Sequence, residues 1–332
     1  MAESRTASWN ELKISSEGDA FDLIQKALTD QIGEQPCKLI FENWPILTIK
    51  LEGEGYNSTI TPDMAEALVT LQHTMHRSYA RLVHDLGDAR RLSHEERDEL
   101  KFKAKVAPGS SLIEINLGEW AQKIGLALTD KMTPEQLILT VLGAAAIAGT
   151  TFAYKAFLRA RSEDKKVDAE TAARVQLSQE ETKRLEHITQ LVGVIPKMKY
   201  TVEDFDDARV GLLKGVGDAN SLTVSGVQLD RAEANTIARS KRSESTDIQA
   251  NGQYRIVEVG WQQENEVRLK LASADGAREF VASFRDDSLE QGQIALLKDA
   301  EWSRETVYLS INATELRGQI TTAVVVGVGE SK

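Results

Sequence analysis

With 332 residues the chain has room for two or three domains. Hydrophobic residues make up 41% and charged residues 27%, the balance of an ordinary folded protein. The net charge of −11 argues against a general nucleic-acid coat, and one cysteine, Cys37, excludes an internal disulfide and suits a reducing compartment.

Residues 1–17 are polar, offer no signal-peptide core and are expected to be frayed. Phe21, Ile24 and Leu28 recur at helical spacing over Asp19 to Gln31. Cys37 to Glu52 alternates as β-structure, with Leu39 and Phe41, then Leu47, Ile49 and Leu51, interrupted by Pro45. Thr61-Pro62 combines an N-cap with a proline at the first helical position and starts a helix to about His84. Met64, Leu68, Leu71, Met75 and Leu82 are its core stripe. His73, Arg77 and Arg81, four apart, form a basic stripe on another face, read either as an anion or phosphate contact or as a solvated face with an inter-subunit salt bridge. Ser93 and Glu96 make a capping box. Strands are expected over Phe102 to Val106 and Leu112 to Leu117 around a turn at Pro108-Gly109-Ser110, then a helix over Trp120 to Leu128.

The stretch from Gln136 to Tyr154, QLILTVLGAAAIAGTTFAY, carries no charge. Its length suits a membrane span, which needs roughly 20 apolar residues. The small residues Ala144 and Ala148, and Ala145 and Gly149, are spaced four apart, a pattern that lets helix backbones approach closely. Thr140, Thr150 and Thr151 are candidates for a polar pore lining, with Gly143 and Gly149 allowing close packing or bending. A helix apolar all round is buried either in lipid or in protein, so an alanine-rich core helix is the alternative. Lys155, Arg159, Arg161, Lys165 and Lys166 follow and favour a cytoplasmic C-terminal side. Conditional insertion from a soluble oligomer reconciles that topology with the lack of a leader.

Beyond it, a polar helical extension to about Ala173 is expected, then a capping box at Ser178 and Glu181, and an apolar seam of Leu185, Ile188, Leu191 and Val192 stopped by Pro196. Asp204 to Leu213 reads as a helix, with Glu203, Asp204, Asp206 and Asp207 complementing the dipole of its first turn. Lys214-Gly215-Val216-Gly217 lacks the spacing of a phosphate loop. A short strand at Ser221 to Val227, a helix at Asp230 to Arg239 and a linker at Arg239-Ser240-Lys241-Arg242 complete this region.

The C-terminal part is expected to run β-β-β-α-β-β. Its strands are Tyr254 to Trp261, a second carrying Val267, Leu269 and Leu271, a third carrying Phe280, Ala282 and Phe284, Thr306 to Asn312, and Gln319 to Val328. Asp275-Gly276 is a hairpin turn, and Leu289 to Lys298 a helix capped by Asp287 or Ser288. This is the element order of an OB-fold barrel, a scaffold that often binds oligonucleotides or oligosaccharides. Arg255, Trp261, Arg268, Lys270 and Tyr308 are candidate contacts there, with Arg77 and Arg81 as candidates in the first half. Acidic residues outnumber basic ones in this region, so a structural or oligomerising barrel is the alternative.

No HExxH, GxSxG or SxxK motif and no Cys/His cluster occurs. His73 and His76, three apart, lack a third ligand, so no metal, cofactor or catalytic site is expected. The fold class read from the sequence is α+β: an N-terminal α+β domain (1–131), one long transmembrane-like apolar helix (132–160), a helical linker (161–245) and an OB-like barrel (246–332).

In this layout the chain resembles the membrane effectors of bacterial anti-phage systems and is similar in organisation to the Hailong channel-forming effector. The resemblance implies a homo-oligomeric, ligand-gated pore at the bacterial inner membrane, or a cytoplasmic protein that inserts conditionally. It also implies a nucleotidyltransferase partner whose DNA oligomers hold the channel closed. The alternative is a soluble oligomeric protein that binds nucleic acid or another ligand and buries its apolar helix as core.

Overall fold

The computed structural model describes residues 10–107, 111–163, 169–239, 245–263, 265–274, 279–316 and 319–329. The turns expected at Pro108-Gly109-Ser110 and Asp275-Gly276, the cations Lys165 and Lys166, and the linker residues Ser240, Lys241 and Arg242 lie outside them. The chain divides into two compact units, Met1–Ser240 and Lys241–Lys332.

The first unit begins with β1 (Asn10–Ile14), α1 (Glu17–Leu28) and β2 (Cys37–Phe41). The expectation of a frayed start is corrected from Asn10 onward, while residues 1–9 lie outside the described residues. β1 pairs in parallel with β2 from Asn10↔Cys37 to Ile14↔Phe41, and Ile14 is fully buried. The polar composition hid a strand whose apolar residues, Leu12 and Ile14, alternate. Next come β3 (Ile46–Glu52), α2 (Pro62–His84), α3 (His94–Glu99), β4 (Lys105–Val106) and β5 (Ser111–Asn116). Thr61 accepts from the Met64 N–H as N-cap of α2, and Ser93 and Glu96 close the capping box of α3.

The helical layer continues with α4 (Gly118–Leu128), α5 (Pro134–Gly149), α6 (Thr151–Glu163), α7 (Ala169–Arg174), α8 (Gln179–Val194) and α9 (Met198–Lys214). The unit ends with β6 (Ser221–Val224), β7 (Val227–Asp230) and α10 (Arg231–Ala238). A five-stranded antiparallel sheet runs β4-β5-β3-β6-β7. The single strand expected at Ser221 to Val227 is a hairpin: Ser225 (φ 48°) and Gly226 (φ 83°) both take left-handed φ, as a two-residue type I′ turn requires. Because β6 pairs with β3, the late part of this unit completes the sheet begun by its early part.

The long apolar helix is also corrected. Among the described residues no single helix is long and apolar enough to cross a membrane; α5 and α6 pass that test only as a pair, bent by 63°. Thr150 breaks the run by leaving helical geometry (φ −95°, ψ 150°), and its hydroxyl donates to the Ala146 carbonyl at 2.7 Å. The Arg209 guanidinium takes the Ile147 carbonyl, satisfying another orphan acceptor at the helix end. Every residue from Leu137 to Gly149 is buried within the unit, where α5 packs on α1, α4 and α9.

The second unit holds β8 (Thr246–Gln249), β9 (Gly252–Gln263), β10 (Glu266–Ser273), β11 (Glu279–Arg285), α11 (Gln291–Ser303), β12 (Thr306–Leu316) and β13 (Gln319–Gly329). Sheet order is β13-β11-β10-β9-β12-β8, and β13 also pairs with β12, which closes β9 to β13 into a five-stranded barrel. The β11–β13 pairing is parallel, at Ser283↔Val324; the other barrel pairings are antiparallel. With α11 between the third and fourth barrel strands, this is an OB-like arrangement. Its own core contains Leu269, Leu271, Phe284, Leu309, Ile311 and Val325. The helix cap falls later than expected: α11 starts after Glu290, whose N–H donates to Gln293 Oε1 at 3.2 Å, while Asp287 is paired with Arg285.

Candidate functional site

The outer face of the barrel is built by strand alternation. On β10, Val267, Leu269 and Leu271 point inward, so Arg268 and Lys270 point outward. Cross-strand partners share a face, which places Arg255 (opposite Ala272) with them, and Tyr308 beside it through Gln253. Four of the sequence candidates, Arg255, Arg268, Lys270 and Tyr308, are therefore brought to one face. Trp261 differs. It lies opposite the inward-facing Val267 near the end of β9, beside a register shift, and is 64% exposed.

Charge on this face is partly spent. Lys270 Nζ pairs with Glu279 Oε1 at 2.9 Å, and Arg285 pairs with Asp287 at 3.1 Å. Arg255 and Arg268 have no ion-pair partner among the described residues. Sequence reasoning missed the apolar part of the surface: Val281, Val324 and Val326 are exposed on the adjoining β11 and β13. The very apolar run of β13 was the available signal, since an alternating barrel strand cannot bury both faces in the core. Trp302, near the end of α11, is 86% exposed and was also missed.

In the first unit Arg77 and Arg81 of the α2 basic stripe turn toward α9, while His73 stays exposed. Arg77 and Arg81 lie 3.3 and 3.6 Å from the buried Asp204 of α9, and the Arg81 guanidinium stacks over Tyr200 at 4.6 Å. Burial lowers the Arg81 pKa, which Asp204 and Tyr200 counter. The acidic cluster is consequently not a first turn, because α9 begins at Met198. Asp204 neutralises α2, and Asp206 pairs with Arg209 at 2.6 Å. Desolvation raises the Asp206 carboxyl pKa despite the guanidiniums of Arg209 and Arg161.

The candidate pore residues do not line a common lumen within the unit. Thr140 is fully buried, with its hydroxyl 3.7 Å from Met132 Sδ. Gly143 sits under Leu191 and Met198, and Gly149 under Pro45 and Leu117. Thr150 caps α5, and Thr151 donates to the Ser225 carbonyl at 3.0 Å. His76 is held against Gln72 at 3.0 Å, and burial pushes its pKa down. No group of three or more His, Cys, Asp or Glu gathers as a metal site among the described residues.

Compared with protein-family models, curated proteins and solved structures, the chain matches none.

Proposed function

We propose that the chain is a non-enzymatic binding protein whose C-terminal OB-like barrel recognises a single-stranded oligonucleotide. The observation that carries this reading is the gathering of Arg255, Arg268, Lys270 and Tyr308 on one outer face, with Trp261 exposed nearby. Single-strand binders combine cations that follow the phosphates with aromatics that stack on bases. The acidic balance of the whole chain confines attraction to this face, so binding is expected to be modest and strongly salt-sensitive.

Anisotropy of a labelled oligothymidylate tests the reading. Replacing Arg268 and Lys270 together with alanine is expected to weaken binding and to lower the salt slope by about 0.7 for each phosphate no longer neutralised. Trp261→Ala is expected to cost about tenfold, at the low end of base–aromatic stacking. Binding that neither change affects would sink the assignment.

A second reading rests on the bent α5–α6 pair, which together has the length and composition of a broken span. In it, a homo-oligomer inserts these helices on a trigger and acts as an antiviral pore of the Hailong type. Its gating ligand is then the oligonucleotide product of a nucleotidyltransferase partner. The burial of α5 inside the unit supports the first reading. Dye release from anionic vesicles, abolished by Gly149→Leu, would favour the second; intact vesicles over a wide protein range would exclude it.

A further inference from the structure

The α5–α6 break encloses a cavity of about 10 Å³, lined among others by Leu47, Thr150, Tyr154, Arg209, Val224 and Ser225. That is about the room one water molecule needs. Two of its polar neighbours are already committed: Thr150 Oγ1 donates to Ala146 O at 2.7 Å, and Arg209 donates to Asp206 Oδ1 at 2.6 Å and to the Ile147 carbonyl. The Tyr154 hydroxyl and Ser225 Oγ are different. Both are buried and neither has a hydrogen-bond partner among the described residues. Tyr154 as a whole is 3% exposed, and desolvation raises the phenol pKa so that it stays a protonated donor.

The cavity wall is pinned independently of these two hydroxyls. The Ser225 N–H donates to Thr48 O at 2.8 Å, and the Ser225 carbonyl accepts from Thr151 Oγ1 at 3.0 Å. The β6–β7 turn is thereby held against the first turn of α6. Buried hydroxyls in folded proteins are nearly always paired, with protein or with ordered water. A small cavity stays dry when its walls are purely apolar and fills when two or more polar groups line it.

We infer that this cavity is a specific site for one water molecule that bridges Tyr154 of α6 to Ser225 of the β6–β7 turn. The water accepts from the Tyr154 hydroxyl and bonds the Ser225 hydroxyl, and Thr150 Oγ1, with a lone pair to spare, is the natural third partner. The joint between α5 and α6 is then a hydrated hinge rather than a dry one. Bulk at this point would reset the bend between the two helices.

A crystal structure of the full chain, at a resolution where ordered waters are resolved, tests the inference. One density peak is expected at about 2.7–3.2 Å from both Tyr154 Oη and Ser225 Oγ. An empty cavity, or hydroxyls turned onto protein acceptors, overturns it. Urea midpoints of Tyr154→Phe, Ser225→Ala and the double variant give a solution arm. A shared water predicts that the double variant shifts no further than the more damaging single one, whereas additive shifts refute the bridge. Should Tyr154→Phe fail to fold, the density in the unsubstituted protein decides alone.

Discussion

Gly143 and Gly149 look alike in the sequence, each a small residue in an apolar helix, but their surroundings separate them. A methyl group at Gly143 would meet Leu191 Cδ1 at 2.7 Å and Met198 Cε at 3.2 Å, both ends of side chains that can turn aside. A methyl at Gly149 would meet Pro45 Cβ at 2.8 Å, an atom of a ring that cannot. Gly143→Ala is expected to leave stability within about 0.5 kcal/mol of the original, because helix propensity gains roughly what repacking loses. Gly149→Ala is expected to lose about 1–3 kcal/mol as overpacking. Urea denaturation of the two variants checks the contrast, and equal shifts would contradict it. The same scale shows a limit of periodicity. The spacing of Arg77 and Arg81 put both on one face of α2, but their partner Asp204 lies on α9, more than a hundred residues later. Nothing local to α2 says whether such a stripe meets water or a buried carboxylate.

Helix ends were the most legible elements, because the chemistry of a cap is local. The Thr61-Pro62 start and the Ser93 and Ser178 capping boxes are all present in the structure. The break at Thr150 was not legible: the run stays apolar through it, and what fixes it is a carbonyl taken by Arg209 and a hydroxyl tied to Ser225. An all-round apolar pattern is likewise identical for burial in lipid and burial in protein. α8 offers a test through its cap. Desolvation acts to raise the Glu181 pKa, but bonds from the Ser178 N–H and from Lys155 at 3.0 Å outweigh it, and the net shift is downward from the ordinary 4.5. A lowered folded-state pKa means that the unfolded chain binds more protons, so this stability is complete above pH 4.5 and is lost as pH falls through the folded value. Glu181→Gln keeps the cap acceptor and removes the charge facing Lys155. It is expected to cost on the order of 1 kcal/mol at pH 7. The gap to the unsubstituted protein should close in strong acid; a gap of the same size at pH 3 would assign it to packing.

At the scale of the whole chain, sequence order recovered the part built from neighbours and missed the part built from distant segments. The barrel strands β9, β10 and β11 follow one another as antiparallel neighbours, so alternation along the chain was enough to place them. The first unit instead threads β6 and β7 beside β3 across about half of the chain, and no periodicity carries that pairing. The helical middle expected as a linker is for that reason structural: α9 and β6 belong to the same hydrophobic core as β3 and α2, through Phe205, Leu222, Ile49 and Leu71. The barrel has a separate core of its own. Two cores predict two cooperative transitions, since a unit with its own core is able to melt on its own. Leu309→Ala in the barrel and Ile49→Ala in the sheet each remove a fully buried side chain and should each cost about 2–5 kcal/mol. In calorimetry of the full chain, each is expected to move one transition and leave the other in place. If Leu309→Ala displaces every transition equally, the barrel does not unfold as a separate unit.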